Sequence, residues 1–366
     1  MTRPHPAQYS AWLPGLNSLL FGLLLCLILM LPVSAPVASP FYTAEVPAEQ
    51  TRQQWQREAF EQVIRRIAAD PDVLSHPVVQ QERQRANTYV KQFEAIRTEQ
   101  GPKVRVLIDQ EKIQQLFREQ QLLIWDTRRP QVLIWLVQQE DSERRFVSQR
   151  QHELVAAMQQ QAQQHLLPLI WPLYDMEDLL NLNETDVWAG FWQQIRTASA
   201  RYQPDLIVTV QLSASNTEQG LTHQLFWQLD HQGRVERFEL TGQDPVEVSS
   251  KMIDALAAQL AQRYAVRYLT ESEPLELSIS GADDWSDWVR LQRLLESFPG
   301  VGQVDIKKRD ATNLRVNLRL AIPQQEWLQL VALEPSLSLL SNQSVESFSL
   351  RAPAGSEPIR LHYERR

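Results

Sequence analysis

Cysteine is almost missing from this chain of 366 residues. Its one cysteine, Cys26, lies inside an N-terminal apolar run. The rest of the chain therefore has no disulfide, no thiol nucleophile and no thiolate metal site. Glycine is scarce too, at 11 residues, and neither GxSxG, the P-loop nor GxGxxG occurs, which leaves little backbone to cradle a phosphate. The seven histidines are dispersed without an HxxxH pair. His223 and His231, separated by a strand and a turn, are the two that a hairpin could bring together, and the plainer reading makes them surface residues. Basic residues are scattered, the net charge is −8 and the pI is about 5.5, which argues against a nucleic-acid surface. No catalytic residue, no metal and no cofactor is expected.

The apolar and charged fractions, 43% and 22%, are those of a globular chain, and the length suits two or three domains. Eleven tryptophans supply packing where disulfides cannot. The organising stretch is Arg129-Pro-Gln-Val-Leu-Ile-Trp-Leu-Val, which has no polar face after Gln131 and reads as a strand covered on both sides. Pro130 sits at its start, where a missing N–H costs least.

At the N-terminus, Leu19–Leu31 is an unbroken apolar run behind a leader carrying Arg3. Its length fits a secretory h-region better than a span, which needs about 20 residues, although counted from Leu16 it just reaches a spanning length. Residues 1–40 are expected to be a signal peptide or a membrane anchor. The body is then exported to the periplasm or to the periplasmic side of the inner membrane, with membrane contact only if the segment is uncleaved.

Three segments follow. Residues 41–128 read as a small α+β domain: a strand at Phe41–Val46, a helix from Thr51 with Trp55, Ala59, Val63 and Ile67 in one stripe, and a helix opening at Pro77. Strands near Tyr89–Ile96 and Lys103–Ile108 and a helix capped by Asp109 complete it. Residues 129–270 read as a central α/β domain with a mostly parallel sheet. Its strands are the organising stretch, Leu167–Trp171 and Leu206–Leu212. They alternate with a glutamine-rich helix over Arg144–His165 and a second helix carrying Val187, Trp188, Phe191, Ile195 and Ala198. A hairpin, Leu221–Leu229 with Arg234–Leu240, and a long helix, Pro245–Tyr264, close it. Residues 271–352 give the order βαββαβ, a ferredoxin-like pattern with a last strand at Val345–Leu350. Residues 353–366 read as a flexible tail.

Two groups are candidate sites. Asp175, Glu177 and Asp178 follow the second strand of the expected parallel sheet, and ligands bind beyond the carboxyl ends of such strands. They are candidates to hold a cation or to act as acid and base; the plainer alternative is that Asp175 or Asp178 caps a short helix. Trp188 and Trp192 are the second group. Trp188 and Phe191 have core spacing, whereas Trp192 points off that stripe and is a candidate binding anchor; the plainer reading is that the cluster is core packing.

Several of these segments, in order, resemble a known family: the N-terminal strand with its Arg-rich helix, Arg129-Pro-x-Val-Leu-Ile-Trp-Leu, Leu169-Ile-Trp-Pro-Leu-x-Asp-x-x-Asp178, and Arg201-Tyr-x-x-Asp205. They look like the uncharacterised proteobacterial family catalogued as domain of unknown function 2066, over most of the exported chain. That resemblance implies an exported envelope protein and supplies no activity to carry over. More weakly, the first segment is similar to N-terminal domains of accessory proteins that assemble envelope and flagellar structures. The middle one is similar in order to small α/β domains of periplasmic and outer-membrane assembly factors.

The reading is an envelope accessory factor that acts by binding unidentified envelope proteins. Its alternative is an envelope hydrolase or cation binder using Asp175, Glu177 and Asp178. Export is testable by fusion after Arg366. A reporter active only outside the cytoplasm is expected to be on, and activity of a cytoplasm-only reporter would refute it.

Overall fold

The computed structural model of the protein describes residues 39–364 except 100, 126, 149–151, 218–219, 232, 283, 310–312 and 341–357. The run Leu19–Leu31, and the strand expected at Val345–Leu350, lie outside the described residues. Among the described residues no helix is long and apolar enough to cross a membrane, which says nothing of a β-barrel.

The first segment opens with β1 (Thr43–Pro47) and α1 (Arg52–Ile67). Thr51 and Gln54 form a reciprocal capping box at the start of α1, and Trp55, Ala59, Phe60, Val63, Ile64 and Ile67 give it one buried stripe. Pro77 occupies the first turn of α2 (Pro77–Gln84), where its missing N–H has no helical partner to lose. Then come β2 (Val90–Thr98), β3 (Gly101–Ile108) and α3 (Gln110–Glu119), the last capped by Asp109, which accepts the N–H of Glu111. The sheet order is β1-β3-β2, antiparallel throughout. A two-residue strand, β4 (Ile124–Trp125), ends the segment.

The middle segment starts with β5 (Val132–Glu140), in which Val132 to Val137 are all inaccessible to solvent. After it run β6 (Glu143–Phe146), α4 (Glu153–His165), β7 (Leu169–Ile170) and three short helices, α5 (Met176–Asn181), α6 (Glu184–Ala189) and α7 (Trp192–Ser199). The chain continues through β8 (Leu206–Thr217), β9 (Gly220–His231), β10 (Arg234–Gly242), α8 (Pro245–Tyr264) and β11 (Ala265–Val266), which pairs with β4. The alternation of side chains along β5 divides it between two cores. Val132, Ile134 and Leu136 pack with α4 and α8, through Met158, Ile253 and Leu256 among others. Leu133, Trp135 and Val137 pack under α6 and α7, against Val187, Ile195 and Ala198.

This sheet is not mostly parallel. Its order is β10-β9-β8-β5-β6 with β7 beside β5, and only β5 with β7 and β5 with β8 run parallel. Helical crossovers join β5, β7 and β8 and enforce parallel pairing there, whereas short turns join β8 to β9 and β9 to β10 and make those pairs antiparallel. The expected helix over Arg144–His165 is also divided. Asp141, at φ 53, turns the chain back so that Glu143–Phe146 pair with Val137–Glu140, and helix begins only at Glu153. The expected helix bearing Val187 to Ala198 is broken at Gly190, whose φ of 71 ends α6 in the left-handed conformation.

The third segment comprises β12 (Glu273–Ser280), α9 (Trp285–Glu296), β13 (Val301–Arg309), β14 (Asn313–Leu320), α10 (Gln324–Ala332), β15 (Leu337–Leu339) and β16 (Ile359–Tyr363). The sheet order is β13-β14-β12-β16-β15. β12, α9, β13 and β14 follow the split pattern read in the sequence. The departure is at the other edge, where β16 is inserted between β12 and β15 and runs parallel to β12. Residues 359–363 are therefore not a loose tail: Leu361 is fully buried, and Ile359 and Tyr363 face the same way. Among the described residues the four sheets are mostly antiparallel, with parallel pairing confined to β5 with β7 and β8 and to β12 with β16.

Leu361→Ala is expected to lower stability by about 2–5 kcal/mol, the cost of deleting a buried leucine side chain, and to reduce Tm in a thermal melt. An unchanged Tm would show that this strand is dispensable.

Candidate functional site

The acidic segment is built from the turn that leaves β7. Asp175 stands before α5 in extended conformation, and its Oδ1 accepts the N–H of Asp178 at 3.1 Å, a helix N-cap. The guanidinium of Arg201 grips the same carboxylate with two near-parallel bonds, Nη1 to Oδ1 at 2.8 Å and Nη2 to Oδ2 at 3.0 Å. Nη1 also donates to Asp178 Oδ1 at 3.1 Å and lies 3.5 Å from Glu177.

Asp178 is the buried member, its residue only 1% exposed. Besides Arg201 it accepts the N–H of Tyr174 at 2.8 Å and the hydroxyl of Tyr202 at 2.5 Å, both on Oδ2. The Tyr202 hydroxyl in turn accepts the N–H of Leu173 at 2.9 Å. Beneath lies Trp135 of β5, met edge-on by Tyr174 and Tyr202 at 5.7 and 6.4 Å between ring centres. Its indole N–H donates to Ser199 Oγ at 2.9 Å, and that hydroxyl donates to the carbonyl of Ile195 at 2.6 Å. The acids are thus the polar lid of an aromatic core, and one segment's sequence, Leu173 to Asp178, is stitched onto another, Arg201-Tyr202.

The electrostatics agree with a structural lock. The Arg201 guanidinium first, and then the Asp178 N–H, hold the Asp175 carboxyl down at about 2, below the usual carboxylate value near ~3.9. Arg201 is raised above its ordinary value, chiefly by its bonds to Asp175. Burial, and then the bond to Asp178, push the Tyr202 hydroxyl up to about 12, so it stays a proton donor to that carboxylate. Burial pushes Tyr174 up as well. Every oxygen of Asp175 and Asp178 is engaged by an N–H or O–H, while Glu177 remains largely exposed. The acids follow the carboxyl end of β7, as expected, but Arg201 and Tyr202, which precede β8, tie them to the amino end of that neighbouring strand. Among the described residues no three His, Cys, Asp or Glu side chains gather to hold a metal ion.

Trp188 and Trp192 are both half-buried and pack on the Trp135 face of the sheet. The Arg144 guanidinium lies over Trp188 at 4.5 Å. Trp192 donates its N–H to Gln228 Oε1 at 3.1 Å, with Arg196 at 5.7 Å from its ring. Arg196 itself forks onto the buried Asp230, Nε to Oδ2 at 2.6 Å and Nη2 to Oδ1 at 3.1 Å. Phe191, which the helical spacing placed in the core, is 50% exposed because the break at Gly190 resets the helical phase.

The structure therefore joins Asp175 to Asp178 through Arg201, and Trp188 and Trp192 pack on the same apolar cluster as Tyr174 and Tyr202, the aromatic neighbours of the acids. Arg201 and Tyr202, the partners of the acids, were visible in the sequence only as a segment ahead of a strand. Nothing in their spacing announced the pairing across more than twenty residues. The other unforeseen feature is apolar. Leu173, just ahead of α5, and Met176, Leu179 and Leu180 within it are all exposed, Met176 and Leu180 at 73% and 77%.

Comparison with known proteins adds little chemistry. Residues 35–126 match the model of a domain of unknown function, DUF8605. This overturns the resemblance to domain of unknown function 2066: the matching model is a different one, and it stops before the segments at 129–205 that carried most of that resemblance. No curated protein matches the chain. A solved structure described as "Crystal structure of uncharacterized protein" is similar at 15% identity and a TM-score of 0.18, over 37% of this chain and 92% of that one.

Folding linkage gives a test of the lock. A carboxyl held below its unfolded value stabilises the fold fully above about pH 4, and that contribution is lost as pH falls through about 2. Urea unfolding followed between about pH 5 and about pH 2 should show a shallower loss of stability in Asp175→Asn, which still caps α5, than in the wild type. Equal slopes would mean that Asp175 is not held by Arg201.

Proposed function

We propose that this chain is a non-catalytic binding factor of the cell envelope, and that it docks a partner protein through the face of α5. The observation that carries the proposal is the apolar row Leu173, Met176, Leu179 and Leu180, exposed on an element that the Asp175–Asp178–Arg201–Tyr202 lock holds fixed. Apolar side chains displayed on a pre-organised element lose little entropy on association, which is what a docking surface needs. Long exposed apolar rows mark interaction sites more often than isolated ones do.

Charge selects the class of partner. The row is flanked by the exposed Glu177, and the chain as a whole carries −8, so an anionic lipid surface is disfavoured. A protein with an apolar patch and a basic rim fits better. Trp188 and Trp192, with the half-exposed Phe191 between them, are the aromatic anchors of the same layer in this reading. The envelope compartment rests on the Leu19–Leu31 run.

The hydrolase or cation-binding alternative is disfavoured because Asp175 and Asp178 already spend their oxygens on Arg201, Tyr202 and backbone N–H groups. To bind a cation or a water nucleophile they would have to give up those bonds.

The test places a photocrosslinking residue at Leu180 in the full chain, in cells. A discrete adduct with another protein is expected, lost when Met176→Glu is added while the melting curve is kept. Adducts only with lipid or with a second copy of the chain, or adducts indifferent to Met176→Glu, would overturn the docking reading. A wild-type Tm raised by Ca²⁺ or Mg²⁺, and unresponsive in the Asp175→Asn/Asp178→Asn variant, would restore the cation-binding alternative.

A further inference from the structure

The first segment holds a cleft of about 460 Å³, between the first turns of α1 and the end of α2. It is lined by Arg52, Gln53, Gln56, Arg57, Gln84 and Asn87, with no carboxylate among the lining residues. We propose that this cleft binds a phosphoryl dianion, either free phosphate or the phosphate of a small organic monoester, between Arg52 and Arg57.

Three features support the assignment. The first is unbalanced charge. Neither Arg52 nor Arg57 forms an ion pair among the described residues. Of the acids of α1, Glu61 pairs with Arg83, and Glu58 accepts from the amides of Gln50 at 2.6 Å and Gln62 at 3.3 Å and pairs with neither arginine. Two guanidinium groups around one cleft in a chain of net charge −8 are a local excess that a dianion, and not a monoanion, neutralises.

The second is unspent donors. Arg57 Nε is buried and has no hydrogen-bond partner. Gln56 is only 8% exposed, lines the cleft, and its amide bonds to no other described residue. Buried polar groups are rarely left unsatisfied, and an unsatisfied one costs about 1–3 kcal/mol. Arg57 Nε is thus a buried donor without an acceptor, on a cleft that Gln56, with its unpartnered amide, also lines.

The third is preorganisation. Gln84 Oε1 accepts from Arg57 Nη2 at 2.5 Å and fixes that guanidinium against α2. Arg52 lies 5.0 Å over the ring of Phe93, which itself packs on Trp55 at 5.3 Å. Both cations are therefore positioned before any ligand arrives. The amides of Gln53, Gln56 and Asn87 supply further donors for phosphoryl oxygens and for hydroxyls of an attached group. The cleft lies wholly within the 35–126 stretch matched by the domain model, away from α5, so this site stands or falls independently of the docking face.

The test is calorimetric titration of the full chain at constant ionic strength with inorganic phosphate, phenyl phosphate and acetate, at about pH 8, where the phosphates are dianions. Saturable binding of either phosphate is expected, at least tenfold tighter than acetate. Tighter binding of phenyl phosphate than of inorganic phosphate would assign the site to an organic monoester, and the reverse order to the free ion. Arg52→Gln and Arg57→Gln are each expected to weaken binding about tenfold, equivalent to about 1.4 kcal/mol. Lys251→Gln, a charge loss on the distant α8, should leave binding unchanged. Because the arginine variants also alter the surface of α1, the wild type is titrated at about pH 5 as well. There the second phosphate proton is back, and binding should fall about tenfold. No saturable heat, acetate binding as tight as phosphate, or affinities indifferent to both the arginine changes and pH would overturn the proposal.

Discussion

Burial of β5 on both faces is the constraint on which the rest depends. A strand without a polar side must have layers above and below it, and its neighbours in sequence are recruited to provide them. Side chains at even positions from Val132 meet α4 and α8, and those at odd positions meet α6 and α7. The parallel pairing with β7 and β8 follows from the helices that must cross those faces between strands. Trp135 is the largest of these buried side chains, and its indole N–H needs a partner in an apolar layer. Ser199 provides it, which sets where α7 lies against the strand.

The arginines immediately before β5 hold the flanking segments to it. Arg129 stacks on Trp125 at 3.4 Å and lies 5.1 Å from Phe41, and donates to the carbonyl of Arg66 at 2.7 Å, all in the first segment. Arg128 reaches the third segment: it stacks on Phe298 at 3.7 Å, donates to Ser297 Oγ at 2.7 Å and lies 3.5 Å from Glu334. Planar guanidinium groups suit these places because they stack and donate hydrogen bonds at once. The apolar residues of the first and third segments also form one continuous cluster, from Tyr42 and Phe60 through Ile124 and Tyr268 to Trp327 and Leu361. The first and third segments thus share a core, with the central sheet between them in sequence.

The acidic segment shows how a group with catalytic composition is given a structural use. Three carboxylates in four residues suggest chemistry while their partners are unknown. Once Arg201 and Tyr202 are in place, the acids close the polar edge of an aromatic cluster and fix α5. Desolvating Asp178 is tolerable only because three donors replace its water. The same bonds leave the leucines and methionine of α5 nothing to cover them, and it is this side effect that gives the segment a surface to offer.

Local signals in the sequence determined much of the fold. The Thr51 capping box, Asp109 before α3, Pro77 and Pro245 in first turns, and the apolar run at β5 are each decided within a few residues, and each appears where its chemistry requires. The breaks were less legible. The left-handed turns at Asp141 and Gly190 cost a strand-for-helix exchange at Arg144 and put Phe191 in solvent, since a one-residue interruption resets a period that composition leaves unchanged. Pairings between distant segments were beyond it altogether. Nothing near residues 359–363 states that they enter a sheet beside β12. Nothing near Asp175 states that Arg201 will grip it, or that Gln56 will remain without a partner beside two arginines. Those facts depend on which surfaces meet, and that is settled by burying area and satisfying buried polar groups across the whole chain, a sum that no local stretch of sequence contains.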